Sequence, residues 1–250
     1  MKTFKITLVL AVLCLTFNFS QAQNQLYTVH LDNVKPSMIG EYEKIAKEFN
    51  EACKKYNPET SWLTTTTSDF KFMYVTPMEN FTELDKNPYN DMAKEMGDAY
   101  GEIFQRFNKC YDSHSDYVIR LIDNLSYMPD GLSQTQEGQN YRDYVYIYFT
   151  PENGAKVREG MKAVKAMFAN KGSKSHYRVY RSGFGNAENY YLVAISSKDE
   201  IDSAHRNKAN DELLGPERFV TFDKVLKYAS RMEEYAGAIR PDLSYAHKKN

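Results

Sequence analysis

Long hydrophobic runs, cysteine and tryptophan are all scarce in this 250-residue chain. The one sustained apolar run, Ile6 to Leu15, is too short to span a bilayer. It follows a basic start, Met1-Lys2-Thr3-Phe4-Lys5, and precedes Ser20-Gln21-Ala22, which puts small residues where a signal peptidase reads. Residues 1–22 therefore read as a secretory leader cleaved before Gln23, and the mature protein is expected to be soluble and exported, periplasmic or secreted. Cys14 lies inside the apolar run, which argues against a lipoprotein. No later stretch is apolar enough for a membrane span.

Cysteine is nearly absent once the leader is removed. Cys53 and Cys110 remain, far apart and each on the apolar stripe of its own helix, a pattern that favours buried free thiols over a disulfide. Excess charge of one sign is missing too. Removing Lys2 and Lys5 from 32 basic residues leaves 30 against 33 acidic ones, a net charge near −3. That excludes the basic footprint of a nucleic-acid binder. The five histidines (His30, His114, His176, His205, His247) show no metal-ligand spacing, and there is no nucleophile elbow, P-loop or dinucleotide fingerprint.

What the chain does have is 20 Tyr and 14 Phe. Tyr joins a large apolar body to a polar tip and suits half-buried faces and pocket walls. The chain also repeats itself. Lys86-Asn87-Pro88-Tyr89-Asn90-Asp91 returns as Arg206-Asn207-Lys208-Ala209-Asn210-Asp211, and Asn124-Leu125-Ser126-Tyr127 returns as Asp242-Leu243-Ser244-Tyr245. The Asn motif reads as a cap at the start of a long helix in each copy.

Between the echoes the elements correspond. In the first unit, residues 23–128, strands are expected at 26–32, 61–67 and 70–75, with a helix from Ser37 to Tyr56. Thr76-Pro77-Met78-Glu79 reads as a helix start with a capping box. A long helix carries Met92, Met96, Ile103, Phe107 and Cys110, and residues 117–125 are strand or bent helix. Residues 129–140 form a polar linker, and 141–250 the second unit, with strands at 142–149, 176–182 and 190–195. Its helix stripes run through Val157 to Phe168 and Phe219 to Ala229.

The order β-α-β-β-α-β is ferredoxin-like. The expected fold is α+β, with two such repeats packed sheet to sheet as an intrachain pseudo-dimeric α/β barrel. On element order and duplication the chain resembles the dimeric α/β-barrel superfamily, which includes antibiotic-biosynthesis-type monooxygenases, chlorite-dismutase-like haem proteins and NIPSNAP-type proteins. No catalytic motif accompanies the resemblance, so no functional residue is carried over.

The candidate site is a face. Tyr144, Tyr146 and Tyr148 lie opposite the aliphatic side of their strand, and His176, Arg178 and Tyr180 share a side of the next. With the aliphatic side on the helices, these residues line a cavity between the two sheets, joined by His30 and by Trp62 of the first unit. Such a lining suits a small aromatic or anionic molecule. Three readings follow: a protein that binds a small molecule or a partner without catalysis of its own and with no cofactor expected, a cofactor-free monooxygenase-like or haem-dependent enzyme using His30 or His176, and a structural or interaction module of the envelope.

Overall fold

The computed structural model describes residues 25–131 and 138–248. The expected leader and residues 132–137 of the expected linker lie outside the described residues.

Alternating apolar residues make eight strands. The first half contributes β1 (Leu26–Val34), β2 (Leu63–Thr67), β3 (Lys71–Met78) and β4 (Tyr111–Leu121). The second contributes β5 (Tyr141–Tyr148), β6 (Tyr177–Ser182), β7 (Tyr190–Ser197) and β8 (Arg231–Ile239). They close into one barrel in the order β1-β3-β2-β8-β5-β7-β6-β4, every neighbouring pair antiparallel. Closure removes the open edges that an isolated sheet exposes. Helices α1 (Ile39–Tyr56), α2 (Asn90–Met96) and α3 (Asp98–Phe107) belong to the first half, and α4 (Gly154–Lys171), α5 (Glu200–Leu214) and α6 (Glu217–Leu226) to the second. No helix among the described residues is long and apolar enough to cross a membrane.

The two sheets do more than face each other. Their edges hydrogen-bond along two short seams, Thr65–Thr67 of β2 against Gly237–Ile239 of β8, and Ile119–Leu121 of β4 against Tyr180–Ser182 of β6. A Cβ on Gly237 would lie 2.2 Å from the Thr66 carbonyl oxygen and 2.8 Å from the Tyr144 ring, so the first seam requires glycine there.

The repeated Leu-Ser-Tyr extends both seams by the same device. Ser126 Oγ donates to the Ile122 carbonyl and accepts from the Val179 amide, both at 2.9 Å. Ser244 Oγ donates to the Arg240 carbonyl at 2.8 Å and accepts from the Thr64 amide at 2.9 Å. Tyr127 pairs with Tyr177 and Tyr245 with Trp62 across the seams. Leu125 is buried in the core beneath the second half's helices, and Leu243 in the core beneath the first half's. Each half thus completes the other's core.

Several local expectations are corrected. Thr76-Pro77-Met78 does not start a helix but continues β3, whose pairing with β2 ends at Val75. Proline is tolerated where one side of a strand is open. Asn80 then caps a 3-10 turn over Phe81–Asp85. Gly97, at φ +58°, splits the expected long helix into α2 and α3. The second Asn motif caps nothing: it lies inside α5, which runs unbroken from its Asp199 cap. In the first copy Pro88 prevents that continuation, and α2 begins at Asn90 with Tyr89 at the cap position and no side-chain cap, so the motif caps neither helix. Residues 111–121 are strand, and 123–125 a 3-10 turn. Cys53 and Cys110 are buried free thiols, in keeping with the sequence reading.

Candidate functional site

The interior of the barrel is filled. Tyr27, Val29, Met73, Ile119, Tyr144, Tyr180, Tyr190 and Leu192 pack there, with Tyr146 and Tyr148 beside them, leaving about 60 Å³. Tyr144 Oη meets Thr65 Oγ1 at 2.6 Å across the seam. Arg142 and Arg178 are buried at one end of this interior, and burial holds the Arg142 guanidinium down to about 10.

A roomier cavity, about 260 Å³, lies outside the barrel between the first half's strands and its helices. Its polar end follows from two rules. Side chains alternate along a strand, and antiparallel pairing places residues opposite one another. His30-Leu31-Asp32 on β1 and His114-Ser115-Asp116 on β4 are both His-x-Asp, and they run head to tail. Pairing sets His30 opposite Asp116 and Asp32 opposite His114, so two histidines and two aspartates alternate around a square on the helix-facing side.

Within the square, His30 Nδ1 donates to Asp116 Oδ1 at 2.8 Å. His30 Nε2 lies 3.2 Å from Asp32 Oδ1, a charge contact rather than an aligned hydrogen bond. Burial by itself would lower the pKa of His30. Asp32 and Asp116 outweigh it and hold the imidazole up to about 9. Asp32 is the anchor, its side chain only 5% exposed. Tyr42, from the first turn of α1, donates to Asp32 Oδ2 at 2.5 Å. Having spent its proton there, Tyr42 accepts one from Tyr74, 3.0 Å away. Burial pushes both phenols far above their ordinary range. Asp32 Oδ1 has no hydrogen-bond donor among the described residues.

The rest of the wall is aromatic. Phe49 stacks on Trp62 at 6.1 Å, and Tyr89 and Phe104 pack on Phe49. The Trp62 indole N–H donates to the Leu243 carbonyl at 2.9 Å, which fixes the ring, and Leu243 itself closes the cavity from the second half.

The eight residues expected to share one site fall into three places. Tyr144, Tyr146, Tyr148, Arg178 and Tyr180 face the barrel interior, as their alternation implied. His30 and Trp62 do not join them. They face the helices instead, because Tyr27, Val29 and Leu31 take the inward positions of β1 and Leu63 and Thr65 those of β2. His176 sits at one end of the barrel in a small recess with Arg178, Ser196 and Arg206. Asp32, Tyr42, Tyr74, His114 and Asp116 were missed. The signal was the doubled His-x-Asp, hidden because the expected last strand of the first unit began only at Tyr117.

No protein-family model matches the chain, and no curated protein matches it in sequence. Solved structures match it in fold. An anthrone oxidase-like protein superposes with a TM-score of 0.56 at 12% identity, covering 86% of this chain and 91% of its own. A candidate monooxygenase from Lactobacillus acidophilus NCFM gives 0.51 at 8% identity, over 87% and 94%. A mutant chlorite dismutase from Candidatus Nitrospira defluvii gives 0.50 at 9%, over 87% and 92%. The chain shares the dimeric α+β-barrel fold with these proteins, formed here by a single polypeptide.

The haem that this resemblance allows does not fit the first cavity. An axial imidazole must present a free nitrogen to the iron, and here Asp32 stands against His30 Nε2 and Asp116 against Nδ1, so a haem would have to displace a buried carboxylate that a bare ion could instead take as a ligand. The corresponding cavity of the second half, about 390 Å³, is lined by no histidine.

Proposed function

We propose that the first half's cavity binds a small, flat aromatic molecule bearing a phenolic hydroxyl, with the ring between Trp62 and Tyr89 and the hydroxyl donating to Asp32. One observation carries the reading: a buried carboxylate oxygen without a donor closes the end of an aromatic-walled cavity. A buried acceptor left unmatched costs about 1–3 kcal/mol, and a ligand donor relieves it. Trp62, the chain's one tryptophan, reports occupancy directly. Its fluorescence is expected to respond saturably to polycyclic phenols and at least tenfold more weakly to their methyl ethers. No response to any phenol, or equal affinity for the ethers, defeats the reading.

A second reading is oxidation of that ligand, favoured by the line Asp32–His30–Asp116, which leads from the buried end to an Asp116 side chain that is 74% exposed. A phenolic proton leaving along it would yield an electron-rich anion able to react with dioxygen. In an anthrone-type conversion a ring CH2 becomes C=O, one oxygen atom of O2 going to carbon and the other to water. Oxygen uptake with anthrone, lost in His30→Val, tests this.

We also read the chain as two tandem ferredoxin-like units, 23–128 and 141–250, exported after cleavage near Ala22-Gln23. The common strand order and the paired Leu-Ser-Tyr arms support the duplication. Amino-terminal sequencing of the exported protein tests the cleavage.

A further inference from the structure

The square of paired His-x-Asp motifs has a geometry that the aromatic ligand does not explain. Metal-bound imidazole and carboxylate atoms sit about 2.0–2.2 Å from zinc, which places two of them roughly 3–3.6 Å from each other. His30 Nε2 and Asp32 Oδ1 are 3.2 Å apart. One ligand atom each from His30, Asp32 and His114 lie within 4.8 Å of one another. All three come from adjacent strands of a closed barrel, the rigid part of the molecule.

The outer contacts are those a metal centre uses. A ligating histidine commonly donates its other ring N–H to a carboxylate, which fixes the tautomer and leaves the ligating lone pair free. His30 Nδ1 donates to Asp116 in this way. A ligating carboxylate is hydrogen-bonded through its second oxygen, as Asp32 Oδ2 is by Tyr42. The His114 ring is held stacked on Tyr111 at 5.5 Å and edge-on to His30 at 5.5 Å. Asp32 Oδ1, a buried oxygen without a hydrogen-bond donor among the described residues, is the atom that faces His30 Nε2.

We infer that His30, Asp32 and His114 form a site for a divalent transition metal ion, of the two-histidine, one-carboxylate type, at the polar end of the first cavity. Two imidazoles and a carboxylate suit zinc or ferrous iron over magnesium or calcium, which prefer all-oxygen shells. Three protein ligands leave a position for water or for a ligand oxygen entering through the cavity. The site stands without the aromatic ligand, and its test is run with none present, so the two readings fail separately.

The experiment is calorimetric titration of untagged, chelator-treated protein with Zn2+, repeated with Co2+ followed by visible absorbance. One ion per chain is expected, at micromolar or tighter affinity, with cobalt d–d bands of a four- or five-coordinate centre. Losing a group that only hydrogen-bonds a ligand at such centres costs about 10–100-fold, and His114→Ala and Asp32→Asn, which remove ligands themselves, are expected to weaken binding by more than that. His114 is exposed, so its replacement leaves folding intact even where the Asp32 variant does not fold. His205→Ala, on an exposed helix position, leaves binding unchanged. No saturable uptake, uptake undiminished in His114→Ala, or equal loss in His205→Ala overturns the assignment.

Discussion

Under the helices of each half lies a cavity, one of about 260 Å³ and one of about 390 Å³, made by corresponding strands and helices and sharing almost no side-chain chemistry. The ladders give the correspondence. His30 pairs with Tyr74 in the first half where Val145 pairs with Val193 in the second, and Asp32 pairs with Phe72 where Ile147 pairs with Tyr191. Tyr42 is the fourth residue of an 18-residue helix, and so is Val157. Asp116, opposite His30, has its counterpart in Glu234, opposite Val145. The backbone therefore offers the same chamber twice. Mainly apolar side chains, with Asn207, Asn210, Asp211 and Glu234 among them, furnish one, and a buried carboxylate, two phenols and an imidazole furnish the other. Packing alone is served by the apolar set at the positions of His30 and Asp32, so the polar set is the part of the molecule that needs a reason.

The comparison breaks most visibly at what the halves share. Leu125→Ala and Leu243→Ala each empty a fully buried site in the opposite half's core. Each is expected to cost about 2–5 kcal/mol in urea unfolding, in a single transition. Only Leu243→Ala should also change the Trp62 response to phenols, because Leu243 lines the first cavity and Leu125 does not line it.

A smaller effect separates structure from use. Asp32→Ala leaves the Tyr42 hydroxyl without its acceptor and His30 without its buried counter-charge, and it should cost about 1–3 kcal/mol. Making the first cavity resemble the second, with His30→Val and Asp32→Ile together, is expected to return within about 1 kcal/mol of the parent, since replacing a buried polar pair by packed apolar groups is often neutral. Phenol and metal binding should be lost in both. A double variant as unstable as Asp32→Ala would mean that the polar set is structural. Next comes Tyr74→Phe, which removes one hydroxyl hydrogen bond to Tyr42 and should cost about 1 kcal/mol by thermal unfolding.

The smallest effect is pH. In metal-free protein the His30 imidazole titrates near 9, above the ordinary 6.5. A folded-state value above the unfolded one gives stability that is complete below pH 6.5 and fades as pH rises through 9. The ring is 40% exposed, so screening keeps the contribution below about 1 kcal/mol. His30→Val should flatten that part of the stability–pH curve, whereas variants at Val145 should not.

Strand alternation made most of the barrel legible in the residues. Tyr144, Tyr146 and Tyr148 point inward because Val145, Ile147 and Phe149 are the apolar set that packs in the core with helix α4. That rule, carried to the first half, misplaced His30 and Trp62. In β1 the apolar residues Tyr27, Val29 and Leu31 face inward, and the polar ones face the helices. Along β1 and β5 neither face is open to solvent, so polarity does not say which face is which. The Asn motif misled for a similar reason: the same short polar string precedes and opens one helix and sits inside another, depending on whether a proline interrupts it, and it caps neither. Leu-Ser-Tyr was legible as a repeat but not as a clamp, since its partners Thr64 and Val179 lie in the opposite half.

The Leu-Ser-Tyr arm around residue 243 also sets the order in which the first cavity comes into being. Its strands and helices lie between residues 28 and 116 and leave the ribosome first. Until residues 243–245 follow, Trp62 has no carbonyl for its indole N–H and no strand partner, and one wall of the chamber is missing. A nascent or truncated chain therefore cannot offer a finished site. Ligand affinity becomes a measure of whether synthesis has run through both halves.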